Sequence, residues 1–573
     1  MAYNKHYITK DRNVNLPYQS VRRMMIVGVS LVVASLFIIT VLTLPATLVT
    51  ATHYPAKLSP QLQTTLQQTT PDTSIRVIVH LNETANLNKL TLSAAEIPRR
   101  QQVMSALQQT AVSAQATLLP QLQSIQQSGK ITQYRQFWII NAIAVTGTPE
   151  AIAQLAAHAS VKQIELDEQR QYFVPPASAI VPDELLNTTA VFTSPIQSWG
   201  INRVNAPHVW HGLNVDGTDV TVAIMDSGVD WQHPDLLPNY RGNLGNGSFD
   251  HAGSWYFAPV PTMTEPIDLH GHGTHVAGTA VGQNGIGIAP GAKWIAVGLT
   301  NETGLIFDSA IHAGFEWLLA PNGDPSLAPD VINNSWGASS NETTFVEDIN
   351  ALQAAGIVTV FSAGNNGPFS QTISSPASYT NTLAVAATTI RDEVAWFSSR
   401  GPSSLTSEQT PYISAPGTAI YSSLPDNKYG YNHGTSMAAP HVTGAIALML
   451  SANPTLTHAQ LLEQLKNTAV SINSTHPNND AGWGLLDTYE AIAPLVTTGN
   501  LQGVVFYNDV PQPGIVVSVT NNSGHTIPYI TDGSGRYSAT LAPGSYSVQV
   551  HSFGFEPFTT SSRAVLINKT TLQ

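Results

Sequence analysis

The first strong pattern along the chain is a predominantly apolar, uncharged run at residues 24–44, preceded directly by Arg22 and Arg23. A run of that length can span a bilayer, and basic residues ahead of it place Met1 on the cytoplasmic side and send the remainder outward. Residues 49–51 (VTA) supply small side chains for cleavage after the Pro45 break, so 1–51 is expected to act as a signal peptide or, uncut, as an anchor through 24–44. Between 52 and 172 the pattern is mixed. Residues 74–81 read as a strand, the Gln- and Ala-rich stretch 99–127 as one helix despite Pro120, and 137–145 as a strand. Thr148 and Pro149 start a short helix with proline in its first turn, and 161–166 supply a further strand. This alternation predicts a small α+β domain, followed by a Pro- and Ser-containing linker at 173–198.

From 199 to 496, short runs that read as buried strands recur between helical stretches, at 220–225, 330–335, 357–361 and 383–387. Such strands alternating with helices imply a parallel sheet with helices on both faces. After 496 the helical signals stop. Runs at 503–507, 515–519, 535–541 and 545–550, separated by Asn-, Gly- and Pro-containing turns, predict an antiparallel β-sandwich over 497–573.

At 573 residues the chain exceeds one compact core, in agreement with several domains. A net charge of −13 argues against nucleic acid or anionic lipid as the main partner, which leaves membrane contact to the N-terminal segment alone. The absence of cysteine excludes disulfides and thiol catalysis.

Candidate chemistry centres on residues 434–441 (GTSMAAPH), where Ser436 sits among small residues at the mouth of an apolar helix. Gly434 permits a close backbone approach, Ala438 and Ala439 leave room for a substrate, and the first helical turn offers unpaired N–H groups to a developing negative charge. From position alone such a serine is more commonly a helix cap. The strand at 220–225 ends in Asp226-Ser227-Gly228, so it delivers a carboxylate to the edge where open α/β sheets hold their sites. Residues 270–279 (HGHGTHVAGT) open another helix. His272 and His275 could share a face and hold zinc, but neither a cysteine nor an H-E-x-x-H pattern accompanies them, and no metal site is assigned.

Asp226-Ser227-Gly228, 272–279 (HGTHVAGT) and 434–441, in that order, resemble the three signature blocks of the subtilisin-like serine proteases, the family known for the chain order Asp, His, Ser. Residues 289–296, 328–337 and 413–417 make the chain most similar to the bacillopeptidase F type within that family. The resemblance implies that Asp226 orients His272, that His272 takes the proton of Ser436, and that Asn365 and the Ser436 N–H form the oxyanion hole. It further implies substrate contacts at Ser335, Trp336 and Gly337 and at Ser362, Ala363 and Gly364, with no cofactor needed and no chemical role for His270 or His275. Residues 52–172 are similar to the inhibitory propeptide of the family, an intramolecular inhibitor and chaperone, with the final cut expected in 173–198. Residues 531–537 and 542–546 resemble the carboxypeptidase regulatory-like repeat, a spacer or a module for a surface ligand. Two departures stand out. Residues 280–288 are too short for the family's calcium loop in its usual form, which puts a structural calcium in question although Asp235 matches one ligand position. Asn366 stands at a pocket rim where well-known subtilisins often carry glutamate, so an apolar-leaning or broad preference is expected.

The expectation is therefore an exported, extracellular or membrane-anchored serine endopeptidase, made as an autoprocessed precursor and acting broadly on proteins or peptides. A peptidase restricted to one protein and an inactive binding protein that kept the fold are the rival readings.

Overall fold

The computed structural model describes residues 56–173, 197–300, 304–338, 341–472, 476–551, 558–559, 563–565 and 570–572. The expected signal or anchor segment 1–51, and 174–196 of the expected linker, lie outside the described residues. Among the described residues no helix is long and apolar enough to cross a membrane.

The N-terminal sheet consists of β1 (Ile75–Leu81), β2 (Ile131–Phe137), β3 (Ala142–Gly147) and β4 (Val161–Leu166), antiparallel in the order β2-β3-β1-β4. Side chains alternate across a strand. Accordingly Val77 and Val79 enter a core shared with Leu62, Leu122 and Leu155 of covering helices, whereas Ile78 packs in a cluster with Ile311, Phe315 and Leu352 of the central domain. One face is the unit's own core and the other is a docking face.

Two expectations here need correction. The stretch 99–127 forms two helices, Glu96–Gln115 and Leu119–Gln127. Pro120 stands in the first turn of the second, where its missing N–H costs nothing. The stretch 137–145 is not one strand: β2 ends at Phe137, β3 begins at Ala142, and residues 138–141 between them form a turn in which Asn141 takes a left-handed φ of 45°. Ile139 and Ile140 in that turn are buried in the cluster shared with the central domain, so the turn is apolar without being strand.

The central sheet is parallel throughout. It contains β6 (Thr221–Asp226), β7 (Trp255–Phe257), β8 (Lys293–Gly298), β10 (Val331–Asn334), β11 (Val358–Ser362), β12 (Leu383–Thr388) and β13 (Ile413–Pro416), while β5 (Gln169–Gln171) and β9 (Leu305–Phe307) form a separate antiparallel pair. Its order is β13-β12-β11-β10-β6-β8-β7. Val222 and Ile224 of β6 pack in one core with the helices His272–Val281 and Thr435–Ala452; Ala223 and Met225 pack in the other with Asp308–Leu319 and Val346–Ala354. Both faces are covered, so these strands are buried on both sides and the polar residues among them, such as Asn333 and Asn334, are buried as well. From β6 the chain proceeds to β8 on one side and to β10 on the other, so the carboxyl end of β6 lies at the topological switch point.

The C-terminal module stacks a three-stranded sheet on a five-stranded one around Leu501, Val517, Val519, Tyr537 and Val548. One pair, Gly499–Val504 with Thr570–Leu572, is parallel, a departure from the antiparallel expectation. The strand Thr526–Ile530 was not expected from sequence, because Pro528 interrupts its pattern; as an edge strand it tolerates the proline.

Candidate active site

Asp226 is the last residue of β6 and is fully buried. Its Oδ1 accepts from His272 Nδ1 at 2.8 Å and from the Ser227 N–H at 2.7 Å. His272 opens the helix His272–Val281, and the next residue is glycine by necessity, since a Cβ at Gly273 would lie 2.1 Å from the Gly228 carbonyl oxygen. Asp268 anchors this entry. Its Oδ1 accepts from Gly271 N–H at 2.7 Å and Ser227 Oγ at 2.9 Å, and its Oδ2 from Thr274 N–H at 2.8 Å, which satisfies helix-terminal donors and fixes His272 against β6. Burial pulls the His272 imidazole down, but the charge and hydrogen bond of Asp226 outweigh it and hold the group above the ordinary histidine value.

Ser436 is the second residue of the helix Thr435–Ala452 and 9% exposed. Its Oγ donates to the Ser335 carbonyl at 3.1 Å, while Ser335 Oγ donates back to the Ser436 carbonyl at 2.8 Å. Ser335, expected only as a substrate contact, thus also grips the backbone of Ser436. Asn365 follows β11. Its Oδ1 accepts from the Thr435 N–H and Oγ1, each at 3.0 Å, which turns Nδ2 toward the space in front of Gly434. A Cβ built at Gly434 would sit 3.4 Å from that Nδ2 and 3.5 Å from the Ser436 nitrogen. Two N–H donors therefore border one point. The residue there has φ 143°, which favours glycine.

A cavity of about 290 Å³ beside Ser436 is bordered by Ser335, Trp336, Gly337, Ser362, Gly364, Asn366 and Ser374, none of them charged. Trp336 has a dual place: it borders this cavity and is 1% exposed, with its Nε1 donating to the Met225 carbonyl at 2.9 Å. Ala363 is fully buried in the core and does not line the cavity. Ala438 and Ala439 are likewise fully buried, so their smallness serves packing against the core and not room for a substrate. On the other side of Ser436 a second cleft is bordered by His272, Asn365 and Met437.

The segment ending the N-terminal domain runs along this site. β5 pairs antiparallel with β9, the Tyr172 carbonyl accepts from the Gly337 N–H at 3.1 Å, and the Phe173 ring lies 5.7 Å from that of His270 and 5.0 Å from that of His272. Sequence reasoning missed this occupancy and missed Asp268. The available signals were the aromatic pair closing the domain and an acidic residue just ahead of a histidine-bearing helix.

His275 is fully buried, its Nε2 donates to the Ile420 and Gly430 carbonyls at 3.0 and 3.2 Å, and burial, with the nearby His272, pushes it down to about 3. His272 and His275 thus face different partners. Among the described residues no cluster of three or more His, Cys, Asp or Glu side chains is placed to hold a metal. Asp235 uses Oδ1 to accept from Asn284 Nδ2 at 2.6 Å and Oδ2 to accept from the Tyr429 hydroxyl at 2.7 Å. Both oxygens of Asp235 are thus engaged by donors within the protein.

Residues 217–484 match the subtilase family, 76–173 the peptidase inhibitor I9 family, and 500–573 the carboxypeptidase regulatory-like domain. Bacillopeptidase F of Bacillus subtilis is 37% identical over 441 residues, covering 72% of this chain but 30% of that protein. Subtilisin amylosacchariticus of Bacillus subtilis subsp. amylosacchariticus is 36% identical over 357 residues, covering 61% of this chain and 80% of the relative. The crystal structure of fervidolysin from Fervidobacterium pennivorans, a keratinolytic enzyme related to subtilisin, superposes with a TM-score of 0.52 at 22% identity, over 87% of this chain and 78% of that one, a likeness of fold. With the subtilase match over 217–484 and a subtilisin 36% identical matched over 80% of its length, the chain belongs to the subtilase family of serine endopeptidases.

Proposed function

We propose that the chain is an exported serine endopeptidase, made as a precursor and matured by its own active site. The observation that carries this reading is the Asp226–His272 hydrogen bond of 2.8 Å beside a cleft that Ser436 and Asn365 border and that the chain's own N-terminal domain occupies. Ser436 Oγ leaves the Ser335 carbonyl, gives its proton to His272 Nε2 and attacks a peptide carbonyl. Asn365 Nδ2–H and Ser436 N–H meet the oxyanion as it forms, and Asp226 stabilises the imidazolium. His272 then returns the proton to the leaving amine, and water, activated by the same base, hydrolyses the acyl-enzyme. This chemistry needs no cofactor.

The N-terminal domain acts as inhibitor and folding template until it is cut away, and the uncharged lining beside Ser436 favours broad acceptance of uncharged side chains. Export is supported by the basic residues and apolar run at 22–44. The C-terminal module serves as a spacer or holds a surface ligand. The test is labelling by a serine-directed phosphonate together with digestion of denatured casein. Labelling at Ser436 with digestion is expected. A chain that neither takes the label nor digests casein is a binding protein, and the reading fails.

A further inference from the structure

Resting on that proteolytic reading, the geometry points to a tyrosine-selective subsite in the substrate cleft, built from Trp336, Phe345 and Asp308. Tyr172 fills it, 2% exposed. The Tyr172 ring meets Trp336 edge-on at 5.6 Å and Phe345 at 6.3 Å, and its hydroxyl donates to Asp308 Oδ1. The same segment is held as an extended substrate would be, through the pairing of β5 with β9 and the Gly337 N–H on the Tyr172 carbonyl.

Asp308 is an unusual residue for the end of an aromatic pocket. It opens the helix Asp308–Leu319 and is 2% exposed. The cation paired with it is Arg170, with Nη2 3.4 Å from Asp308 Oδ2, and Arg170 also pairs with Glu168 at 3.2 Å and Glu342 at 2.6 Å, while Asp167 and His312 add opposing charge influences. Burial holds the Asp308 carboxyl up at about 6 even with Arg170 and Tyr172 beside it. Both of these partners belong to the segment that leaves on maturation. The mature enzyme then presents a carboxylate that has lost its phenol and its cation and meets water in the open cleft; a ring that enters the pocket shuts that water out again, and a buried acceptor left without a donor is costly. A phenylalanine fills the rings but leaves the carboxylate unpaired; a tyrosine restores the lost hydrogen bond. Sites built to bond a substrate hydroxyl discriminate far more strongly than apolar pockets that sense size alone. The start of a helix favours an acidic residue by itself, so the decisive property is the choice between Tyr and Phe.

The experiment digests a mixture of denatured proteins with the matured wild type, Asp308→Leu and Asp308→Asn chains and sequences the fragments by mass spectrometry. At one fixed position on the N-terminal side of the cut, wild type is expected to favour Tyr over Phe by roughly ten- to hundredfold, the range of a hydrogen bond to a charged group. In Asp308→Leu the ratio falls to parity or below, whereas Asp308→Asn, which keeps an acceptor oxygen, retains a preference for Tyr. The ratio is read within each enzyme's own cuts, so it is independent of overall rate, and the wild-type ratio decides even if Asp308→Leu fails to fold. Equal use of Tyr and Phe by wild type overturns the proposal and leaves proteolysis standing. Enrichment of Arg or Lys at that position, lost in Asp308→Asn, overturns it in favour of a cation subsite. Complete absence of cuts, with Ser436 unlabelled, refutes the proteolytic reading itself.

Discussion

Asp226 is buried and bonded to His272 Nδ1, so it sets the tautomer of the imidazole and raises its proton affinity at once. Asp226→Asn is expected to lower kcat roughly 10⁴-fold, because the neutral amide leaves His272 in the wrong tautomer. It should also move the acidic limb of the kcat/KM profile to lower pH. The base must be neutral to act, and loss of the carboxylate removes what holds it above the ordinary histidine value. A pH series on a peptide substrate reads both effects. In the mechanism we propose, Asn365→Ala removes a donor to the oxyanion, so kcat should fall by ~10²–10³ with little change in KM. The pairing of Asp226 with His272 and the closeness of Asn365 to Ser436 were legible because the motifs name these residues. The grip of Ser335 on Ser436, the anchoring by Asp268 and the orientation of Asn365 by Thr435 were not, since each joins residues from separate segments that only the folded sheet brings together.

At the scale of elements, the helix Asp308–Leu319 does more than cover the sheet. Glu316 near its end accepts from the N–H groups of Trp138 at 2.6 Å and Ile139 at 3.1 Å, capping the apolar turn of the N-terminal domain. Burial, working against those two hydrogen bonds, pushes the carboxyl up to about 7. The folded chain thus keeps a proton that the unfolded chain releases near the ordinary carboxylate value. The contribution of Glu316 to stability is greatest below that value and is lost as pH rises through about 7. In a Ser436→Ala background, which stays uncut, the difference in urea midpoint between Glu316 and Glu316→Gln chains should shift against the Glu316 chain between about pH 5 and 8. A pH-independent difference would contradict this. Arg100, on the helix Glu96–Gln115, is 2% exposed and donates to the Ala328 and Pro329 carbonyls, each at 2.8 Å, and to Asp330 at 3.0 Å. Arg100→Ala in the same background should cost about 3 kcal/mol in urea denaturation, because Asp330 loses its buried partner. The parallel strands were readable from their apolar runs, which need both faces covered. The turn at 138–141 was not, because its burial and its capping both come from a domain distant in sequence.

The whole molecule couples a slow folding problem to a control device. A parallel sheet such as this one pairs strands distant in sequence, with β6 joined to β10 more than a hundred residues later, and such topologies fold slowly. The N-terminal domain buries one sheet face against the helices Asp308–Leu319 and Val346–Ala354, and its last residues lie across the active-site cleft, so the contacts that assemble the enzyme also occlude it. The sequence pattern anticipated the order and type of the domains, while the occlusion depends on where Tyr172 and Phe173 come to rest in three dimensions. The most direct measurement follows the mass of the full chain and of its Ser436→Ala variant over time, alongside casein digestion. Only the parent is expected to shorten by a piece of the size of the N-terminal domain and then digest casein, while the variant stays whole and inactive. A parent that remains intact and inactive like the variant, or a variant that shortens at the same rate, would contradict this.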